Sequence, residues 1–335
     1  MAKKVTMQKI ADKIGVTKVS VSKAINNQQG ISDNLREQIL AIAKQMGYTK
    51  LKNEEEEKKN YSFAVVSPKR FFLEDETFYT TIYYYLNKRC MEKNYTVSCF
   101  VINDKEEISG LIPSQLLTSN FDGIFIAGEF KRDYLKKIES LNGTKIAIDF
   151  YMLGITMDSV VIDNYDTGLE VTSYLIQRGH KKIGFVGNIK HTSSICDRYF
   201  GYSKAMKINN IPINEEWHIS NNDTHTGVYT LDFQLPEDMP TAFVCHCDKA
   251  AFTLMQKLEL CGIKVPDDVS VISFDNTSIC NLVTPKLTSV DIDRKQIAIY
   301  SLEQMIYRLN HPHSLPKKIY LGSKLIERES VKDIN

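Results

Sequence analysis

Residues 5–27, VTMQKIADKIGVTKVSVSKAINN, leave the start of this chain few folding choices. Met7, Ile10, Ala11 and Ile14 recur at i, i+3, i+4 and i+7, the spacing of one apolar helix face. Thr6 stands where a hydroxyl caps the orphan N–H groups of a first turn. Gly15 breaks the pattern and Val16 is placed to pack at the turn. Thr17 is placed to cap a second helix running through Val19, Val21, Ala24 and Ile25. The small residues at 11 and 15 let two helices cross closely. The pattern predicts a helix-turn-helix, a motif whose second helix enters a DNA major groove. The alternative is a plain helical hairpin, and charge argues against it. Residues 1–52 hold ten Lys/Arg and three acids (Asp12, Asp33, Glu37), net +7, in a chain of net +1 overall. The remainder therefore carries −6, and basic charge confined to one small segment is the footprint of phosphate binding.

A chain of 335 residues exceeds one ordinary core, so two or three domains are expected. No run of eighteen apolar residues occurs, so no membrane span is expected. The start, MAKK, passes straight into a polar amphipathic helix and does not read as a signal peptide. Seven scattered cysteines, an odd number, suggest reduced thiols and a cytoplasmic location rather than a disulfide framework. Cys245-His246-Cys247 invites a zinc reading, but the run is strand-like, with 245 and 247 facing one way and 246 the other. No second Cys/His pair follows at metal spacing, and neither a metal nor a cofactor is expected.

After a loop containing Gly30, Ser32 is placed to cap a third helix, DNLREQILAIAKQMGY, which Gly47 would end. These residues resemble the headpiece of the LacI (lactose-repressor-like) family of bacterial transcription regulators. The matching pieces are Val5-Thr6, Ile10-Ala11, Gly15-Val16-Thr17, Val21-Ser22, Asn26-Asn27, Ile31-Ser32, Leu35-Arg36 and Gly47-Tyr48. By this resemblance Lys18, Val19 and Lys23 face base edges. A Lys donates to guanine and a Val contacts a thymine methyl. Relatives mostly carry Arg where Lys23 stands, and Lys lacks the bidentate fork. Thr6, Thr17, Ser20, Ser22, Asn26 and Tyr48 resemble the phosphate-side contacts, with helix capping as the alternative for Thr6 and Thr17.

Residues 49–60, TKLKNEEEEKKN, form an acidic linker or hinge where relatives usually have a short hinge helix. Four glutamates beside phosphates would be repelled, and Leu51 is the one apolar candidate for a minor-groove wedge. Weaker operator bending than the family norm is therefore expected.

From Tyr61 onward, strand-like runs alternate with helical runs of ten to fifteen residues, the signature of parallel sheets wrapped by helices; LIPSQLLTS reads as helical, and EWHISN and TAFVCHCD read as strands on either side of a short helix. FDGIFIAG, VVIDNYDTG, LIQRGHKKIGFVG, DRYFGYSKAM, GIKVPDDVSVISFDN, LTSVDID and LIERES resemble the family's effector-binding core, built like a periplasmic sugar-binding protein. The expected architecture is a three-helix helix-turn-helix headpiece plus an α/β core of two doubly wound parallel-sheet lobes. The expected divisions are headpiece 1–48, linker 49–60 and core 61–335. Within the core, the N-lobe is expected over about 61–161 and 292–319 and the C-lobe over about 162–291 and 320–331, with crossings near 160–163, 288–292 and 318–322.

Ligands of such folds bind at the carboxyl ends of strands. The resemblance matches Arg198 and Asp275 to an effector-contacting Arg and Asp, and Asp149 to a third polar contact. Carboxylates that accept from vicinal hydroxyls, beside a guanidinium that donates, suit a polyhydroxyl ligand. Phe71, Phe72 and Phe78 follow the first strand, where relatives place ligand-touching residues, and Phe150 and Tyr151 follow Asp149. Cys247 stands where many relatives have Asn, and Asn222 falls near an aromatic platform of several relatives.

The chain shows no GxSxG, P-loop or HExxH motif, so no catalytic residues are expected and an enzyme reading is weak. The expected function is a sequence-specific DNA-binding regulator, a repressor of carbohydrate-related genes. It would be a homodimer on a pseudo-palindromic operator, controlled by a small effector, expected to be a sugar, in the inter-lobe cleft. A cytoplasmic solute sensor with vestigial DNA binding is the alternative.

Overall fold

The computed structural model describes residues 5–25, 28, 30–48, 60–72, 78–223 and 227–335. The chain divides into two compact units, Met1–Asn60 and Tyr61–Asn335. The glutamate run of the linker, Leu51 and Asn26 lie outside the described residues.

The first unit holds α1 (Met7–Ile14), α2 (Lys18–Ile25) and α3 (Asp33–Gln45). Thr6 caps α1, its hydroxyl accepting from the Lys9 N–H. Gly15 ends α1 at φ +75°, a left-handed conformation that favours glycine, and its N–H donates to Ala11 O. Thr17 Oγ1 accepts from the Ser20 N–H at 3.1 Å and so caps α2. Ile10 and Ala11 of α1, Val21, Ala24 and Ile25 of α2, and Ile39 and Ala43 of α3 form the buried core of this unit. Three short helices with one small core are stabilised mainly by this packing, since isolated helices of eight residues do not persist in water.

The second unit contains two sheets. The first lobe is built from β1 (Ser62–Pro68), α4 (Lys69–Phe72), α5 (Phe78–Glu92), β2 (Thr96–Ile102), α6 (Asp104–Ser109), α7 (Ser114–Thr118), β3 (Gly123–Ala127), α8 (Arg132–Glu139), β4 (Thr144–Ile148) and β5 (Asp158–Ile162). The chain then enters the second lobe through α9 (Asn164–Gln177), β6 (Ile183–Val186), α10 (Ser193–Ile208), β7 (His218–Ile219), β8 (Ala242–Cys245), α11 (Asp248–Leu260), β9 (Ser270–Asp275), α12 (Ile279–Leu282) and β10 (Thr288–Asp291). It returns to the first lobe through α13 (Arg294–Asn310) and β11 (Lys318–Leu321), and crosses a last time to β12 (Lys324–Ile326).

Among the described residues each sheet has six strands, ordered β11-β5-β4-β3-β1-β2 and β12-β10-β9-β8-β6-β7. All pairings are parallel except β10 with β12. Alternate residues of the first sheet face opposite ways, and both faces are dry. Phe63, Val65, Phe125, Ile146 and Ile148 pack on one side with Ile82 and Leu86 of α5 and Leu302 and Met305 of α13. Ala64, Val66, Ile124, Ile126 and Ala147 pack on the other with Leu116 of α7 and Tyr134, Leu135 and Ile138 of α8. Two covered faces explain why these strands read as near-continuous apolar runs.

Several local expectations change. LIPSQLLTS, read as helical throughout, gives only Ser114–Thr118. The helix Asp104–Ser109 was not expected, although its capping box is visible in the chain: Asn103 accepts from Glu106 N and Glu106 accepts from Asn103 N. EWHISN shrinks to a 3₁₀ turn and a two-residue strand. The short helix expected before TAFVCHCD is absent among the described residues; an isolated bridge joins Asn222 to Tyr229 instead. The alternation expected through 245–247 ends at Cys245, because Cys247 becomes the N-cap of α11 and accepts from the Ala250 N–H.

Candidate functional site

In the headpiece, burying Val21, Ala24 and Ile25 turns the opposite face of α2 outward. Lys18 is exposed, and Val19 is 63% exposed, an unusual position for a branched apolar side chain. Lys23 is half-buried, and its main chain is held by Arg36, which donates to Lys23 O (3.3 Å) and to Gln28 O (2.7 Å). Thr6 and Thr17 spend one acceptor each on capping, while Ser20 and Ser22 are half-buried beside them. Tyr48 is placed differently from the rest: its ring lies in the headpiece core.

In the second unit, one cleft cavity gathers residues from both lobes. It is an open-mouthed space of about 680 Å³ when the solvent at its mouth is counted. The first lobe contributes Phe71 from α4, Phe78 and Tyr79 from α5, and Asp149 just past β4. The second contributes Arg198 from α10, Cys247 at the start of α11, Asp275 at the end of β9, and Asn222. Seven of the nine expected effector residues (Phe71, Phe78, Asp149, Arg198, Asn222, Cys247 and Asp275) line this space. Phe72 and Phe150 do not line it: Phe72 packs edge-on against Tyr83, and Phe150 is buried behind the sheet with Phe130 and Tyr134. Tyr151 also turns elsewhere, its hydroxyl donating to Asp197.

Arg198 is placed by helix packing. α9 and α10 approach through Gly168 and Gly201, where a Cβ would run into the Arg198 and Tyr165 carbonyls respectively. The Arg198 guanidinium is buried and donates to Asn164 Oδ1 (2.8 Å), to the His246 carbonyl and to Asp275 Oδ1 (3.4 Å). It also lies 4.5 Å from the centroid of the Phe274 ring.

Asp149 is 6% exposed, with its backbone at φ +65° and its N–H donating to Val160 O. Tyr79 donates its hydroxyl to Oδ2 at 3.0 Å, whereas Oδ1 is buried with no hydrogen-bond partner among the described residues. Burial pushes the Asp149 carboxyl up to about 6, against the opposing pull of Arg198 and the Tyr79 bond. Burial holds the His246 imidazole down to about 3, so this ring is neutral. Its Nδ1 faces the Val186 carbonyl at 3.0 Å and must carry the proton; Nε2 then accepts from the Tyr229 hydroxyl at 3.0 Å.

Sequence reasoning missed Arg70, Tyr79, His191, Tyr229 and His246 as cavity residues. Tyr79 adjoins Phe78 in the chain and was open to discovery. His246 was weighed only as a metal ligand. Tyr229 comes from a stretch read as helical, and only the fold brings its ring parallel to His246, 6.0 Å between centroids.

Comparison with known proteins accords with the architecture of both units. Residues 6–50 match the family described as bacterial regulatory proteins, lacI family. Residues 172–331 match the periplasmic binding protein-like domain. The chain is 28% identical to the NTD biosynthesis operon regulator NtdR of Bacillus subtilis (strain 168), covering 97% of this chain and 99% of that protein. It is 24% identical to the HTH-type transcriptional repressor PurR of Actinobacillus pleuropneumoniae serotype 3 (strain JL03), covering 98% and 99%. Among solved structures, the transcriptional regulator CelR in complex with cellobiose shares the fold, with TM-score 0.69, 21% identity, and coverage of 98% of this chain and 100% of that one. A helix-turn-helix headpiece followed by a two-lobed binding core, matched along nearly its whole length, makes this chain a member of the LacI family of bacterial regulatory proteins, a DNA-binding transcription regulator under small-molecule control.

Proposed function

We propose that the cleft cavity takes a sugar-like effector and that its occupancy sets how the headpiece holds a pseudo-palindromic operator. The chain then acts as a homodimeric repressor in the cytoplasm and performs no catalysis of its own. The observation that carries this reading is the convergence of Asp149 from one lobe with Arg198 and Asp275 from the other on a single cavity. A ligand bridging these groups binds the closed arrangement of lobes better than the open one, the differential affinity that any allosteric effect requires. On the DNA side, Lys18 and Val19 are the outward residues of α2 that fit base readout. Thr6, Thr17, Ser20, Ser22 and Lys23 fit supporting positions around them, and the buried ring of Tyr48 supports the headpiece from within. Tyr84 and Met91 on α5, with Leu260 and Leu282 in the other lobe, are exposed apolar side chains of the kind that support self-association. No helix among the described residues is long and apolar enough to cross a membrane, which agrees with a cytoplasmic site of action.

The test is a thermal-shift screen of mono- and disaccharides and purines on the intact chain, followed by operator gel shifts with the hit. Arg198→Ala is expected to bind operator within about twofold of wild type and to lose the response to effector. An Arg198→Ala protein that still responds normally overturns the assignment of the cavity.

A further inference from the structure

The cleft cavity has a charge imbalance that bears on the chemistry of its ligand. Among the described residues its lining carries two cations, Arg70 and Arg198, and two acids, Asp149 and Asp275. Burial lowers His191 and His246, which therefore add no charge near neutrality. Arg70 is committed to Glu107, whose side chain is 1% exposed and takes both guanidinium nitrogens. Arg198 is paired with Asp275. Asp149 is then the lining acid that makes no ion pair among the described residues and feels only the longer-range field of Arg198. Outside the lining, Glu129 adds a further acid near Asp149, Lys249 is engaged with the Tyr229 ring, and Arg294 is taken up by the Asp275 carbonyl and the Phe78 ring.

Asp149 is also fixed in place. Its main-chain N–H is tied to β5 through Val160 O, and Tyr79 holds Oδ2. Oδ1 is left as a buried acceptor without a donor, on a residue that lines the cavity. A buried acceptor in this state calls for a donor, and the cavity that its residue lines is where a ligand can supply one. A hydroxyl supplies the hydrogen bond but leaves the charge unpaired, and an anionic ligand adds a second unpaired negative charge. An ammonium supplies both donor and charge. Phe71, Phe78 and Tyr79 stand around the same space, and aromatic faces attract cations.

We propose that the effector carries a protonated amine seated against Asp149 Oδ1, and so belongs to the amino sugars or to aminated polyols of similar size. The inference rests on the cavity being the effector site, and the experiment separates the two statements. The intact protein is titrated calorimetrically with glucosamine, galactosamine, mannosamine and the glucosamine disaccharide. Each is set against its neutral parent: glucose, galactose, mannose or cellobiose. At least one amine is expected to bind tenfold or more tightly than its parent. Acetylation of that amine, which removes the charge, should abolish the advantage on the unaltered protein. Asp149→Asn should weaken the amine at least tenfold and cancel most of its advantage over the parent. Binding of no amine in the series, equal binding of amine and parent, or amine binding indifferent to acetylation overturns the proposal. A neutral sugar that binds wild type more tightly than every amine of the series, and is lost in Arg198→Ala, also overturns it while leaving the cavity as effector site. A ligand whose binding survives both Arg198→Ala and Asp149→Asn overturns both.

Discussion

Glu129, just past β3 in the first lobe, accepts through Oε2 from both the N–H (2.8 Å) and the hydroxyl (2.9 Å) of Ser193, the first residue of α10 in the second lobe. One carboxylate thus clasps the two lobes at the rim of the cavity and faces the positive end of a sixteen-residue helix. A second clasp lies alongside, where the Tyr151 hydroxyl donates to Asp197 of the same helix. Removing the Glu129 carboxylate by Glu129→Ala should favour the open arrangement by about 1–2 kcal/mol, the worth of charge-assisted hydrogen bonds. Effector affinity is then expected to fall by up to about tenfold, with a larger radius of gyration for the unliganded protein in X-ray scattering. Unchanged affinity together with unchanged scattering would show that the clasp does not set the lobe angle.

Asp149 makes the cleft a source of instability above mild acid. Its folded carboxyl titrates at about 6 because burial disfavours the charge, against 3.8 for the free side chain. A raised folded value means that its stabilising contribution is complete below about pH 4 and is lost as pH rises through 6. The loss is on the order of 3 kcal/mol at neutral pH. Asp149→Asn should therefore be more stable than wild type in urea at pH 7.5 and nearly equal to it at pH 4.5. A stability difference that does not change between those two pH values contradicts the assignment.

Asp158 behaves in the opposite sense. Burial raises its carboxyl, but Arg308, Gln304 and the Lys317 N–H bind it strongly enough that the net shift is downward. This contribution to stability is present at neutral pH and is lost as pH falls below the usual carboxylate range. Its side chain is fully buried, so Arg308→Ala strands a charge and is expected to cost about 3–5 kcal/mol, read from the denaturant midpoint.

The contact between α9 and α10 should tolerate no added methyl. A Cβ on Gly201 would meet the backbone of Tyr165, Gly168 and Leu169, which cannot move aside as a side-chain end can. Gly201→Ala is expected to cost about 1–3 kcal/mol, with weakened effector binding because α10 carries Arg198. Wild-type stability and wild-type effector affinity together would rule out this role for the glycine.

On the DNA side, Val19→Ala and Lys18→Ala should change which operator is preferred, by about 1–3 kcal/mol at the affected base pair. A phosphate contact behaves differently: its loss weakens all sequences alike and lowers the salt dependence of binding. Selection from a randomised operator library distinguishes the two, and an unaltered consensus for both variants counts against base readout by α2.

The headpiece was readable because its information is local. Thr6, Gly15 and Thr17 do in the structure what a hydroxyl or a glycine does at those positions in any short helix. The strands were readable because both faces of each sheet are covered, which forces runs such as AVV and IFIA. Asn103 and Glu106 also carried a local signal, a capping box, that went unused. Tyr229 and His246 carried none. Their pairing depends on an irregular stretch folding back over the end of β8, and no periodicity encodes that. Phe72 and Phe150 show the converse: neighbours of cavity residues in sequence, they are turned into the core.

Short windows of the chain dictate most element types, the alternation of strand and helix, the basic headpiece, and the polar residues that end strands, because each follows from spacing, capping or charge. Tertiary structure alone decided which of those residues share a cavity and in what state. Arg198 and Asp275 neutralise one another, Arg70 is taken by Glu107, and Asp149 is left buried with one oxygen unpaired. Burial and charge compensation are sums over groups far apart in the chain, so they exist only once the two lobes have closed around the same space.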